Sequence, residues 1–181
     1  AQIANHELKK AEITIARLLR SELTTANHEN LRILRAHVRL LTARPDDALD
    51  DLIAVYKFDP RQNSPAILEL LGDIYFARFE IASVGFADRS NTEQAKQIYN
   101  QLIEEYPTYD NLGWVYYQMG RIALTENVAS YAKECFRKAL LNPTRTRSLT
   151  AYCYERLGYI AHYEERDLTK AHDFLNRAVN T

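Results

Sequence analysis

Residues 120–143 read GRIALTENVASYAKECFRKALLNP, and the spacing inside this stretch decides the fold. Gly120 is followed after twelve residues by Ala132, then after four by Phe136, after three by Ala139 and after four by Pro143. Steps of three and four keep side chains on one face of an α-helix. Ala132, Phe136 and Ala139 therefore share a face, and Gly120 lies on the preceding helix, beyond a break near Glu126 and Asn127. A small residue at such a point lets the two helices of a hairpin approach closely, while large aromatic and aliphatic residues fill the remaining space.

The series recurs along the chain. From Ala36 the same steps reach Ala48, Leu52, Val55 and Pro60, and from Gly158, with one extra residue in the turn, they reach Ala171, Leu175 and Ala178. From Gly72 the distance to the next small residue, Ala95, is stretched to 23 residues, after which Tyr99, Leu102 and Pro107 fall in register. Ahead of each glycine stand large residues at matching offsets: Leu68, Leu71 and Tyr75 around Gly72, Tyr116 and Met119 before Gly120, Tyr154 and Leu157 before Gly158. With these residues the sequence resembles the tetratricopeptide repeat (TPR) family. The resemblance implies an all-α fold, a right-handed superhelical stack of antiparallel helix hairpins with a concave surface, because each hairpin alone leaves an apolar face bare and its neighbours bury it.

Apolar residues at helical spacing over almost the whole length, interrupted at short polar or Gly/Pro sites, predict about nine helices. Residues 1–24 form a lone helix that caps the stack or completes a truncated repeat. Residues 28–181 form four hairpins, at about 28–60, 64–107, 109–143 and 147–181, with an insertion at about 81–92. The expansion between Gly72 and Ala95 contains Phe76, Phe79, Ile81, Val84 and Phe86, at helical spacing up to about Val84 with Gly85 as a stop, which predicts either a lengthened first helix packing on its neighbour or a projecting element that borders the groove or meets a second subunit. Breaks are expected around Thr25 to Asn30, near Ala43 to Pro45 and at Arg166 and Asp167. Asp167 is a natural N-cap, and Ser90 with Glu93 three residues on has the spacing of a capping box. A start without Met and a stop at Thr181 inside the last helix suggest a fragment of a larger protein.

Composition narrows the function classes. The chain has 181 residues, 46% of them apolar, 5 Gly, 5 Pro and a net charge of −1, ordinary stock for a folded domain with a large core. Charge is uneven: residues 1–44 carry +4, residues 45–110 carry −8 and residues 111–181 carry +3. None of these segments has the long run of like charge expected of a nucleic-acid arm. No apolar run reaches the length of a membrane span, so no membrane insertion is expected. Cys135 and Cys153 are too few for a disulfide framework. Two buried, reduced thiols favour a cytoplasmic setting, with an exported mature fragment as the alternative.

In the resembled family, ligands lie along the concave face built by the first helix of each hairpin. Carried over residue by residue, that face comprises Glu69, Asp73 and Phe76, then Trp114, Tyr117, Arg121 and Leu124, then Tyr152, Glu155, Tyr159, His162 and Tyr163. Ten of the 12 tyrosines lie between Tyr99 and Tyr163. Such rings offer broad contact area at little entropic cost, although the same rings also serve as filling between hairpins. The offsets of Trp114, Tyr117, Tyr159 and Tyr163 from the glycines put this group away from the interhelix seam and on the surface. Glu69, Asp73 and Glu155 stand where a carboxylate-gripping groove would need cations, so a neutral or mildly basic apolar segment suits the face better than an acidic tail.

Other constellations point away from chemistry. Arg32, Arg35 and Arg39 form a helical stripe near Arg17, Arg20 and Arg44; without interleaved aromatics it reads as a solvated face or as a partner for Asp46 to Asp51, with RNA binding as the lesser reading. The five histidines and two cysteines lack metal-ligand spacing, and there is no phosphate-cradling Gly-rich loop or serine-nucleophile elbow. The sequence thus predicts a non-catalytic scaffold for a peptide segment or partner protein, with no cofactor and no metal. The alternative is the sensory or regulatory module of a larger transcription regulator or signalling protein. A homo-oligomer is open on either reading.

Overall fold

The computed structural model describes residues 2–22, 24–56, 64–82 and 89–181, and among them every regular element is an α-helix. In chain order these are α1 (Gln2–Leu18), α2 (Thr25–Leu41), α3 (Pro45–Ile53), α4 (Pro65–Ala82), α5 (Ser90–Glu105), α6 (Leu112–Thr125), α7 (Ala129–Leu141), α8 (Arg147–Tyr163) and α9 (Leu168–Val179). The chain divides into two compact units, Ala1–Leu102 and Ile103–Thr181.

In the first unit, α2 packs on α1 and α3, and α4 packs on α2 and α3. The core joins Ala36, Ala48 and Leu52, each wholly buried, to Leu70, Leu71 and Ile74. Gly72 of α4 lies against the ring of Tyr99 on α5, and the Tyr99 hydroxyl donates to Asp73 Oδ1 at 2.6 Å. α4 runs 18 residues, one more than α2 and α8. Gly85, Val84, Phe86 and Pro60 lie outside the described residues.

The second unit is built from the hairpins α6–α7 and α8–α9, stacked through α7 on α8 and α6 on α8. The residues of the opening series meet here: Phe136, Ala132 and Ala139 are wholly buried and share a core with Leu149, Cys153 and Ile160 of α8. Burying one Phe-sized side chain contributes about 3 kcal/mol. The Phe136 ring lies under Gly120, where any larger residue would occupy its space.

The turns repeat as faithfully as the helices. After α2, α6 and α8 stand Ala43, Asn127 and Arg166, each in the left-handed region with φ of 57°, 60° and 55°. The backbone then closes back onto the helix, with Arg44 N–H donating to Arg39 O at 2.8 Å and Val128 N–H to Ala123 O at 2.8 Å. These bonds satisfy carbonyls left open at a helix end. At the third turn Asp167 N–H reaches Ala161 O, one residue further back, which is the extra residue seen between Gly158 and Ala171.

Two expected boundaries differ. The break around Thr25 to Asn30 is replaced by helix, because the Thr24 side chain caps α2 by accepting from Asn27 N–H at 3.3 Å. At α5 the Glu93 carboxylate takes Lys96 Nζ at 2.7 Å, and Ser90 is already the first helical residue. Asp167 caps α9 as expected, accepting from Lys170 N–H at 2.9 Å.

Candidate protein-interaction face

On α8 one side is consumed by packing and the other is open. Leu149, Cys153 and Ile160 point into the core, each at most 1% exposed, while Tyr152, Tyr159 and Tyr163 on an adjacent side of the helix are 46%, 46% and 62% exposed. Spacings of seven and four residues align these three rings in one stripe along the helix. Tyr159 and Tyr163 lie 4.6 Å apart between ring centroids, and His162 meets Tyr163 edge-on at 4.4 Å. Glu155 flanks the stripe and is exposed.

The stripe continues onto α6. Trp114, half-buried, sits 6.0 Å from Tyr152 and makes a T-shaped contact of 5.6 Å with Tyr117. Such offset and edge-on pairs stabilise ring clusters beyond the area they bury. Tyr117 departs from the surface position expected for it. It is 7% exposed and packs 5.7 Å from Phe136, so its ring fills the seam between the hairpins and supports Trp114 and Tyr152 from beneath. The offset from Gly120 fixed the side of the helix but not the thickness of the neighbour stacked on it. Arg121 donates to Gln118 Oε1 at 2.9 Å, and Leu124 packs partly buried against the same core.

Arg156, which sequence reasoning passed over, joins the stripe one turn after Tyr152; its i+4 spacing was the available signal. Among the described residues its Nε is buried without a hydrogen-bond partner. Arg156 is thus partly buried, while Glu155, about 100° further round the helix, is exposed, and the open face is mainly aromatic.

The three candidate residues of the first unit behave differently. Phe76 is 1% exposed and stacked on Phe79, so it is core and not surface; α4, buried on two sides, has no room for an open ring there. Asp73 is engaged by Tyr99, and Glu69 is half-buried on the same helix.

The arginine stripe also resolves into structure. Asp51, 2% exposed, receives Arg35 through Nε and Nη2 at 2.7 and 2.5 Å and Arg39 through Nη1 at 2.9 Å, with Arg32 at 3.8 Å. Arg39 and Arg44 both reach Glu12 on α1, at 3.0 and 2.8 Å. Hydrogen bonding by Asp51 raises the Arg35 pKa above its already high value. These cations tie α1, α2 and α3 together. Burial pushes the Cys153 thiol up to about 12 and raises that of Cys135, so both are protonated packing residues.

Comparison with known proteins follows the same lines. Residues 68–109 match the tetratricopeptide repeat family model. This segment is similar to a tetratricopeptide repeat. It spans α4 from Leu68, all of α5 and the turn to Tyr109, the copy whose first and second helices are separated by the long insertion. The fold of the chain is similar to that of MamA, whose crystal structure superimposes with a TM-score of 0.64 over 99% of this chain and 91% of that one, at 15% sequence identity. No curated protein matches the sequence significantly. Among the described residues no helix is long and apolar enough to cross a membrane.

Proposed function

We propose that the protein is a non-catalytic TPR scaffold and that the second unit docks a partner protein on the aromatic face of α6 and α8. The observation that carries this reading is the row Tyr152, Tyr159 and Tyr163, 46%, 46% and 62% open to solvent along one face of α8. Exposed rings in a row are costly to leave in water and efficient to cover, since each has few rotamers to lose and a polar tip to satisfy at the edge of a contact. The exposed charge beside the rings is that of Glu155, with Arg156 partly buried, which favours a neutral or mildly basic, apolar segment over an acidic tail. Preformed helices also spare the site any ordering cost of its own.

Trp114 is the single tryptophan of the chain and touches Tyr152, so it reports directly on this face. Titration with a pool of neutral and mildly basic apolar peptides is expected to shift Trp114 emission saturably. The pair Tyr159→Ala and Tyr163→Ala should weaken that binding by roughly tenfold or more while leaving the helical circular dichroism unchanged, because both side chains are exposed. Unaltered binding in this variant would refute the reading.

A further inference from the structure

We infer that the second unit carries another docking surface, a cleft between α7 and α9 over α8, and that its occupant is an acidic, apolar segment of a partner protein. The cleft has a volume of about 360 Å³, within the range of built ligand pockets. Its floor is apolar, with Leu157 from α8 and the stacked pair Tyr154 and Phe174, whose ring centroids lie 6.2 Å apart. Leu140 and Leu141 form one wall, and Leu141 is 80% exposed, far more than a side chain with a structural role requires.

The charges on the rim select the partner. Arg137 stands on α7 and Arg177 on α9, so a guanidinium marks each wall, and no acidic residue lines the cleft. Arg177 lies over the Tyr154 ring at 5.8 Å and is held by Asp173 at 3.0 Å, which keeps it at the rim. Arg137 is exposed and, among the described residues, has no carboxylate partner. A segment that sets a large apolar side chain on the Tyr154–Phe174 floor, with carboxylates to either side, would meet both guanidinium groups. An amphipathic helix presents this pattern at steps of three and four residues. Opposite charges at such a rim set orientation and speed of encounter, while the apolar floor supplies the affinity.

The test uses the full chain and two blocked, fluorescently labelled peptides. One repeats Glu-Leu-Leu-Glu-Glu-Leu-Leu and the other carries Lys at every Glu position. The acidic peptide is expected to bind saturably by anisotropy, and the lysine peptide not to bind. Arg137→Glu and Leu141→Ser, both at exposed positions, should each weaken the acidic peptide by roughly tenfold or more, whereas the paired Tyr159→Ala and Tyr163→Ala changes should leave it unaffected. Absence of saturable binding, equal affinity for both peptides, or loss only in the tyrosine variant would overturn the inference. So would a concentration-dependent dimer in sedimentation that Leu141→Ser abolishes, since that result gives the cleft to a second copy of the chain. Because the tyrosine and cleft variants act on opposite sides of α8, failure here is distinguishable from failure of the proposed aromatic face.

Discussion

Replacing Gly120 with alanine tests the packing rule on which the repeat rests. A Cβ added there would sit 2.6, 2.8 and 2.9 Å from three atoms of the Phe136 ring, well inside the carbon–carbon contact distance of about 3.5 Å. Phe136 is wholly buried and braced by Tyr117, so it cannot swing aside. Overpacking of a dense core costs about 1–3 kcal/mol, and three simultaneous ring contacts put this case near the upper end. Alanine in place of glycine within a helix returns about 1 kcal/mol, leaving a net loss of about 2 kcal/mol. Gly158→Ala is the internal control. Its Cβ would meet Leu175 at 3.1 and 3.2 Å, and Leu175 is 46% exposed and free to rotate, so the propensity gain and the crowding should cancel to within about 0.5 kcal/mol. Urea unfolding followed by Trp114 fluorescence measures both. In a Phe136→Leu background the Gly120→Ala penalty should fall below about 1 kcal/mol, as expected when two changes share one contact. A Gly120→Ala protein as stable as the parent, or a penalty unchanged by Phe136→Leu, would refute the reasoning.

Three further outcomes follow from the structure. Asp51→Ala should cost about 3 kcal/mol in urea unfolding, because it strands Arg35 and Arg39 around a buried site; a loss below about 1 kcal/mol would mean that the network behaves as a surface pair. Cys153 should resist iodoacetamide at pH 8 in the folded protein and react in urea, since burial holds its thiol near 12; mass spectrometry of the labelled peptide reads this. The Asp167 carboxylate is held below its ordinary value first by the Lys170 backbone N–H it caps and then by the Lys170 side chain. Its depressed value means that the stability it adds is full above the unfolded carboxylate range near about pH 4 and is lost as pH falls through the folded value. The advantage of the parent over Asp167→Asn in denaturant midpoint should therefore be present at pH 7 and shrink toward pH 2; an advantage independent of pH would show that only the hydrogen bond matters.

Much of the architecture was already written in local chemistry. Helical spacing, the small residues at 36, 72, 120 and 158, and the turns near Ala43, Asn127 and Arg166 each follow from interactions within a few residues or across one hairpin. Such short-range rules are readable from residue order alone. The extra turn residue after Gly158 was legible for the same reason, since one inserted position moves one backbone hydrogen bond.

What needed the third dimension was the depth at which each side chain lies. Spacing assigns a ring to a side of its helix, but whether that side is covered depends on the next hairpin, many residues away. Tyr117 and Phe76 proved buried because a neighbour fills the space above them, whereas Tyr159 and Tyr163 stayed open. The arginines of α2 were ambiguous in the sequence for a similar reason: their partners Asp51 and Glu12 come from α3 and α1. The cleft under Arg137 and Arg177 is assembled from three helices. Periodicity describes a helix by itself; exposure and pairing are properties of the helices that meet.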